Sequence, residues 1–219
     1  NPNQVNFRLD GNGEAIRLYT SAFEIVDTIY FGLTTPGVAE GRLPNGADSF
    51  MAFPETASPG SSNHVPLDSV VINEVLAHTD PPFEDAIELH NLSDGAIDLG
   101  GWFLSDDVAN LTKFEIADGT TISAGGFAVF YAEQFDGGEG SAVPFTLNSA
   151  RGDEVYLSQG NGGELTGLRA QVEFGPSANG VSFGRYETSS GVDFVAQRAT
   201  SFGTDEPDSM DEFRTGNGL

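Results

Sequence analysis

An all-β chain folded as an antiparallel β-sandwich is what this sequence predicts, on three observations. Short apolar segments recur at close spacing, and Gly (28 residues) and Pro (11 residues) fall between them as punctuation. No stretch sustains the 3.6-residue apolar period of a helix. Nine or so short strands at this spacing make two packed sheets the expected layering.

Val70–Leu76 reads as a strand ending near the Asp80-Pro81-Pro82 turn. Ala86–Leu92 alternates, with Ile87 and Leu89 on one face and Glu88 and His90 on the other. Ile97–Leu99, the Gly100-Gly101 break and Trp102–Leu104 come next. Phe114–Ile116 precedes Asp118-Gly119, a pair that signals a hairpin turn, and Gly125-Gly126 opens Phe127–Tyr131. Phe145–Leu147, Glu154–Leu157, Ala170–Phe174 and Gly180–Gly184 complete the series. Trp102, the only Trp, is expected to fill the space between the sheets, with ligand stacking as the alternative. Ile87, Leu89, Val155, Leu157 and Phe174 join it in the expected core, and the two glycines before it permit a bend or bulge.

The beginning of the chain repeats its later part. Phe7-Arg8-Leu9 matches Phe145-Thr146-Leu147 at an offset of 138, and Gly13-Glu14 with Ile16-Arg17-Leu18 matches Gly152-Asp153 with Val155-Tyr156-Leu157 at 139. Ile29–Gly32 matches Val172–Gly175, Gly41-Arg42 matches Gly184-Arg185, and Ser58-Pro59-Gly60 matches Ser201-Phe202-Gly203, all at 143. Common order at a nearly constant offset marks an internal repeat. About 80 residues, from Val65, precede Phe145, whereas six precede Phe7, so the first copy lacks its opening strands. The expected division is a closing half-repeat over 1–62, a complete sandwich over 63–206 and an acidic linker or tail over 207–219. Either the half-repeat comes from a longer tandem array, or it is completed by another chain as a dimer. Ile16, Leu18, Ile29 and Phe31 form its expected inward row, to be covered by the complete domain or by a second copy.

The 219 residues carry a formal charge of −24, and Lys113 is the only lysine. Direct binding to nucleic acid or to an anionic bilayer is disfavoured, since holding phosphates takes clustered Lys and Arg. Cations and basic proteins suit such a surface, as does a salty, marine setting. There is no cysteine, hence no disulfide, and no apolar run approaches the ~18 residues of a spanning helix. Asn1-Pro2-Asn3-Gln4 has neither the basic nor the apolar part of a signal peptide, so any export signal is expected outside these residues.

Taken in order, Val71–Val75, Asp85–Asn91 and Ile97–Trp102 resemble the opening of bacterial lamin-tail domains. The likeness continues through Phe114–Ile116, Gly119–Ile122, Ala124–Gly126, Gly152–Leu157 and Phe183–Arg185, and its second half is echoed in residues 1–62. The resemblance implies an immunoglobulin-like sandwich without catalysis. In bacteria such domains are appended to large exported proteins, sometimes beside nucleases, phosphatases or spore-coat-like kinases. Animal members bind partner proteins and sometimes DNA, but their basic surface is not reproduced here, so DNA binding does not carry over. The family brings no site residues onto this chain.

No Gly-x-Ser-x-Gly elbow precedes a helix, and neither the phosphate-cradling Gly-x-x-x-x-Gly-Lys nor His-Glu-x-x-His occurs. A catalytic Glu88 is set against a role for Asn73, Glu88 and Asn91 in tying loop backbone groups. Calcium is the only cofactor the loops suggest, through Asp80, Glu84 and Asp85 and through Asp106 and Asp107, with a solvated loop as the plainer reading of each. Asp136–Glu139 and a zinc site of His78, Asp80 and His90 are weaker candidates. The expected function is a non-catalytic interaction or spacer module of a large exported bacterial protein, at the cell surface or beyond it, with an unknown protein or neighbouring domains as partners. The alternatives are an accessory, substrate-capturing domain of a secreted hydrolase and a calcium-dependent adhesin module.

Overall fold

The computed structural model describes residues 5–197 and 200–203. The expected linker over 207–219 lies outside the described residues. Four strands come first: β1 (Glu14–Tyr19), β2 (Ile25–Phe31), β3 (Ala39–Arg42) and β4 (Phe50–Phe53). The central stretch supplies β5 (Val65–Pro66), β6 (Val70–Leu76), β7 (Ala86–Asn91), β8 (Ile97–Asp98), β9 (Phe103–Ser105), β10 (Phe114–Glu115), β11 (Thr121–Ile122) and β12 (Phe127–Tyr131). One helical turn, α1 (Ala132–Phe135), precedes the long hairpin of β13 (Asp153–Asn161) and β14 (Glu164–Phe174). The series ends with β15 (Ser182–Thr188) and β16 (Gly191–Ala196).

Two five-stranded sheets form the sandwich, in the orders β10-β9-β13-β14-β5 and β12-β7-β6-β15-β16. All pairs are antiparallel except the edge strand β5 on β14. Val70, Ile72, Ile87 and Leu89 from one sheet meet Leu104, Val155, Leu157 and Phe174 from the other in a single core. Trp102 belongs to that core as well, just ahead of β9, where the Leu99–Trp102 turn places Gly101 in the left-handed region at φ 74°. A side chain at Gly101 would be strained by its own backbone.

Strand β6 is buried along its whole length, and a bulge makes this workable. The pairing with β7 slips between Ile72 and Glu74. Val70 and Ile72 face the core before the slip and Val75 after it, so Glu74 turns to the outer face. An extra residue in one strand does this because side chains alternate with a period of two.

Two expectations about local structure are corrected. Asp118-Gly119 does make a tight turn, with Thr120 N donating to Ala117 O, but it closes no hairpin. β10 before it pairs with β9, and β11 after it pairs with β8, so the turn carries the chain from one sheet to another. Phe145–Leu147 is not a strand. The segment follows Pro144, which has no amide to donate, and side chains hold it instead: Phe145 and Leu147 are buried, and Phe145 stacks on Phe135 of α1 at 4.8 Å between centroids.

The N-terminal strands form two separate hairpins, β1–β2 and β3–β4. Their registers reproduce those of the later hairpins. Ile16 stands opposite Ile29 as Val155 stands opposite Val172, and Arg42 opposite Phe50 as Arg185 opposite Phe194. The hairpins are linked by an ion pair of 2.7 Å between Arg42 and Asp27. Toward the sandwich, Leu43 packs over Gly167, where a Cβ would lie 2.3 Å from its methyl carbon. The complete sandwich does not cover the row expected to face inward: Ile16 and Leu18 remain exposed and Ile29 and Phe31 are half-buried. The reason is topological, since among the described residues β1 pairs only with β2.

Candidate functional site

The outer face of the β6–β7 pair carries the densest polar chemistry of the sandwich. Glu74 and Glu88 are cross-strand neighbours, and both are fully buried. Like charges in that position repel, and burying each costs more unless donors surround it. The donors come from the far end of the chain. Ser201 donates its backbone N (2.9 Å) and its hydroxyl (2.8 Å) to Glu74 Oε2, and Gly203 N donates to Glu88 Oε2. Asn73, freed from the ladder by the bulge, donates Nδ2 to Glu88 Oε1 at 3.0 Å. Burial pushes the Glu88 carboxyl up to about 7 against the pull of those donors, with the Glu74 charge adding to the rise. Burial raises Glu74 too, and the Ser201 bonds oppose it. The pair is thus a clasp that fastens the returning chain across the outside of the sheet.

Asn91 fastens a second loop. Its Nδ2 donates to the carbonyls of Gly95, Ile122 and Ser123, and its Oδ1 accepts from Ser93. Glu88 and Asn91 therefore bond to loop backbone and Asn73 supports Glu88. The sequence reading missed Glu74. The repeat of Ser58-Pro59-Gly60 as Ser201-Phe202-Gly203 was the available signal that this return has a fixed job.

A cleft of about 480 Å³ lies where the N-terminal hairpins meet the sandwich, lined by Pro44, His64, Leu111, Ser158, Leu168 and Arg169 among others. Arg169 is buried, its guanidinium 5.4 Å from the centre of the Tyr156 ring and Nη2 2.6 Å from His64 Nδ1. Burial and the neighbouring Arg169 charge both lower the His64 pKa, which leaves the ring neutral and able to accept. Burial also lowers Arg169 itself, while Tyr156 is raised, chiefly by burial and then by its bond to Glu154.

The calcium candidates are each engaged elsewhere. Asp80 Oδ2 accepts from Asn179 Nδ2 (2.6 Å), Glu84 Oε2 from Glu133 N (2.7 Å), and Asp85 Oδ1 from the Thr79 hydroxyl (2.9 Å). Asp106 pairs with Lys113 at 2.5 Å and Asp107 lies 4.0 Å from the same ammonium. Among the described residues, no three His, Asp or Glu side chains gather as a metal site. The zinc trio is dispersed as well. His78 Nδ1 lies 3.1 Å from Ser177 O, and His90 stacks on Phe127 at 4.1 Å.

No curated protein and no solved structure matches the chain. Residues 66–174, from the end of β5 to the end of β14, match the family model described as Lamin Tail Domain, and to that family this stretch of the chain is similar.

Proposed function

We propose that the chain is a non-catalytic interaction or spacer module within a large exported multidomain protein. One observation carries the reading: the buried carboxylates of Glu74 and Glu88 hold the returning chain, and neither lines the cleft at Arg169 or the one beside Leu67 and Gln171. A general acid with a raised pKa needs a path to its substrate, whereas Glu74 and Glu88 are fully buried among the described residues. What the sandwich offers outward is a rigid frame with acidic loops, suited to hold neighbouring domains apart or to present a surface to a basic partner. The match to the lamin tail family agrees with such a role.

The cleft at Arg169 favours a second reading, in which the module captures substrate for an adjoining secreted hydrolase. One experiment separates the readings from an enzyme. The chain is incubated with para-nitrophenyl phosphate, its diester and plasmid DNA, with magnesium, manganese or calcium. No release above buffer is expected, and turnover that disappears in Glu88→Gln would overturn the non-catalytic reading.

A further inference from the structure

The N-terminal hairpins repeat, at matched positions, side chains that the sandwich buries. Leu18 is 60% exposed and its counterpart Leu157 is 0%; Phe7 and Leu9 are each 56%, against 4% for Phe145 and 6% for Leu147. Ile16 is 36% exposed where its counterpart Val155 is 0%. In the sandwich this face is covered by the opening strands. β9 pairs with β13 at Leu157, and β6 pairs with β15 at Gly184, which is the counterpart of Gly41. The Ser201 and Gly203 amides are capped by Glu74 and Glu88 of those opening strands. At the matching Ser58 and Gly60, no described carboxylate reaches the amide.

We infer that residues 7–60 are a docking surface for the opening half of another lamin-tail-like repeat. Its occupant is a strand set like residues 65–144, bringing a β9-like strand to β1, a β6-like strand to β3, and two glutamates to the Ser58 and Gly60 amides. Within these 219 residues the opening half, 65–144, is already paired with 145–203, so a second copy would have to give up its own pairing to fill this face. The match of register and of the Ser-x-Gly return specifies the occupant more closely than apolar area alone would.

The test compares the chain with a longer one in which an extra copy of residues 63–144 replaces residues 1–6, so that its end meets Phe7. Amide exchange is followed residue by residue. In the longer chain, exchange at Leu18, Ser58 and Gly60 should slow by about a hundredfold, toward the rates of Leu157, Ser201 and Gly203. Glu88→Gln in the extra copy alone should return part of the exchange at Gly60 and leave Gly203 unchanged. Protection of Ser201 and Gly203 reports in the same sample that the original domain is folded. Unaltered exchange at Ser58 and Gly60 would overturn the inference. So would sedimentation of the original chain as a dimer in which those amides are already protected, since a second copy would then be the occupant.

Discussion

Glu74 on β6 stands directly across from Glu88 on β7, and the two fully buried carboxylates are held by amides 127 and 115 residues further along the chain. This clasp should give the sandwich a component of stability that falls as pH rises. A carboxyl whose pKa rises on folding binds more protons folded than unfolded, so it stabilises below the unfolded pKa and loses that stability as pH rises through the folded value. With Glu88 near 7, stability should fall between about pH 5 and pH 8, by on the order of 3 kcal/mol for this group. Urea midpoints across that range measure it. Glu88→Gln should flatten the profile, and an unchanged slope would show that Glu88 does not titrate there.

Trp102→Ala should cost roughly 3–5 kcal/mol, since the indole lies in the core between the sheets. Urea unfolding checks this. A loss below about 1 kcal/mol would place the side chain's contribution at the surface.

Gly160 marks a close approach of two backbones. A Cβ there would fall 1.9 Å from Gly101 O, at the slip in the β13–β14 register. Gly160→Ala should therefore destabilise by about 1–3 kcal/mol, because backbone must shift to admit it. Gly175→Ala is the control, at a glycine that like Gly160 lies outside the left-handed region but whose added Cβ would meet nothing within 4 Å. Equal losses in the two variants would remove the steric account.

Calcium should bind no more tightly than ionic screening of a −24 chain explains. Calorimetry at matched ionic strength is the measurement, with magnesium for comparison. Micromolar calcium affinity lost in Asp80→Asn or Asp106→Asn would show that the Asn179 and Lys113 bonds give way to the metal.

Deletion of residues 1–62 should leave 63–206 folded and monomeric, with a modest loss from baring Gly167 and freeing Asn63 from Arg42 O. A far-ultraviolet spectrum and sedimentation decide. Unfolding of the shortened chain would mean that the two segments share one core.

Much of the fold was legible because its signals are local. Alternation in Ala86–Leu92 put Ile87 and Leu89 inward and Glu88 outward, and that is how β7 lies. The repeat offsets carried register as well, since Gly13 and Gly152 both occupy the left-handed region beside the carbonyl of the matching Phe31 or Phe174. The site was less legible. Nothing in Asn73-Glu74 announces a bulge, so Glu74 was missed while Glu88, in plain alternation, was considered. The Asp118-Gly119 turn was read from its residues, but its residues do not say which sheet each neighbouring strand joins.

The sequence by itself determined the all-β class, most of the strands and the absence of a disulfide, because each follows from side-chain period, backbone preference or composition within a few residues. Tertiary structure alone decided that β10 and β11 part to different sheets, that Phe145 is held by stacking on Phe135, and that two glutamates fasten a return from beyond residue 200. The physical reason is range. A strand's pattern records which face it buries, whereas the partner it finds depends on the closure of loops a hundred residues long.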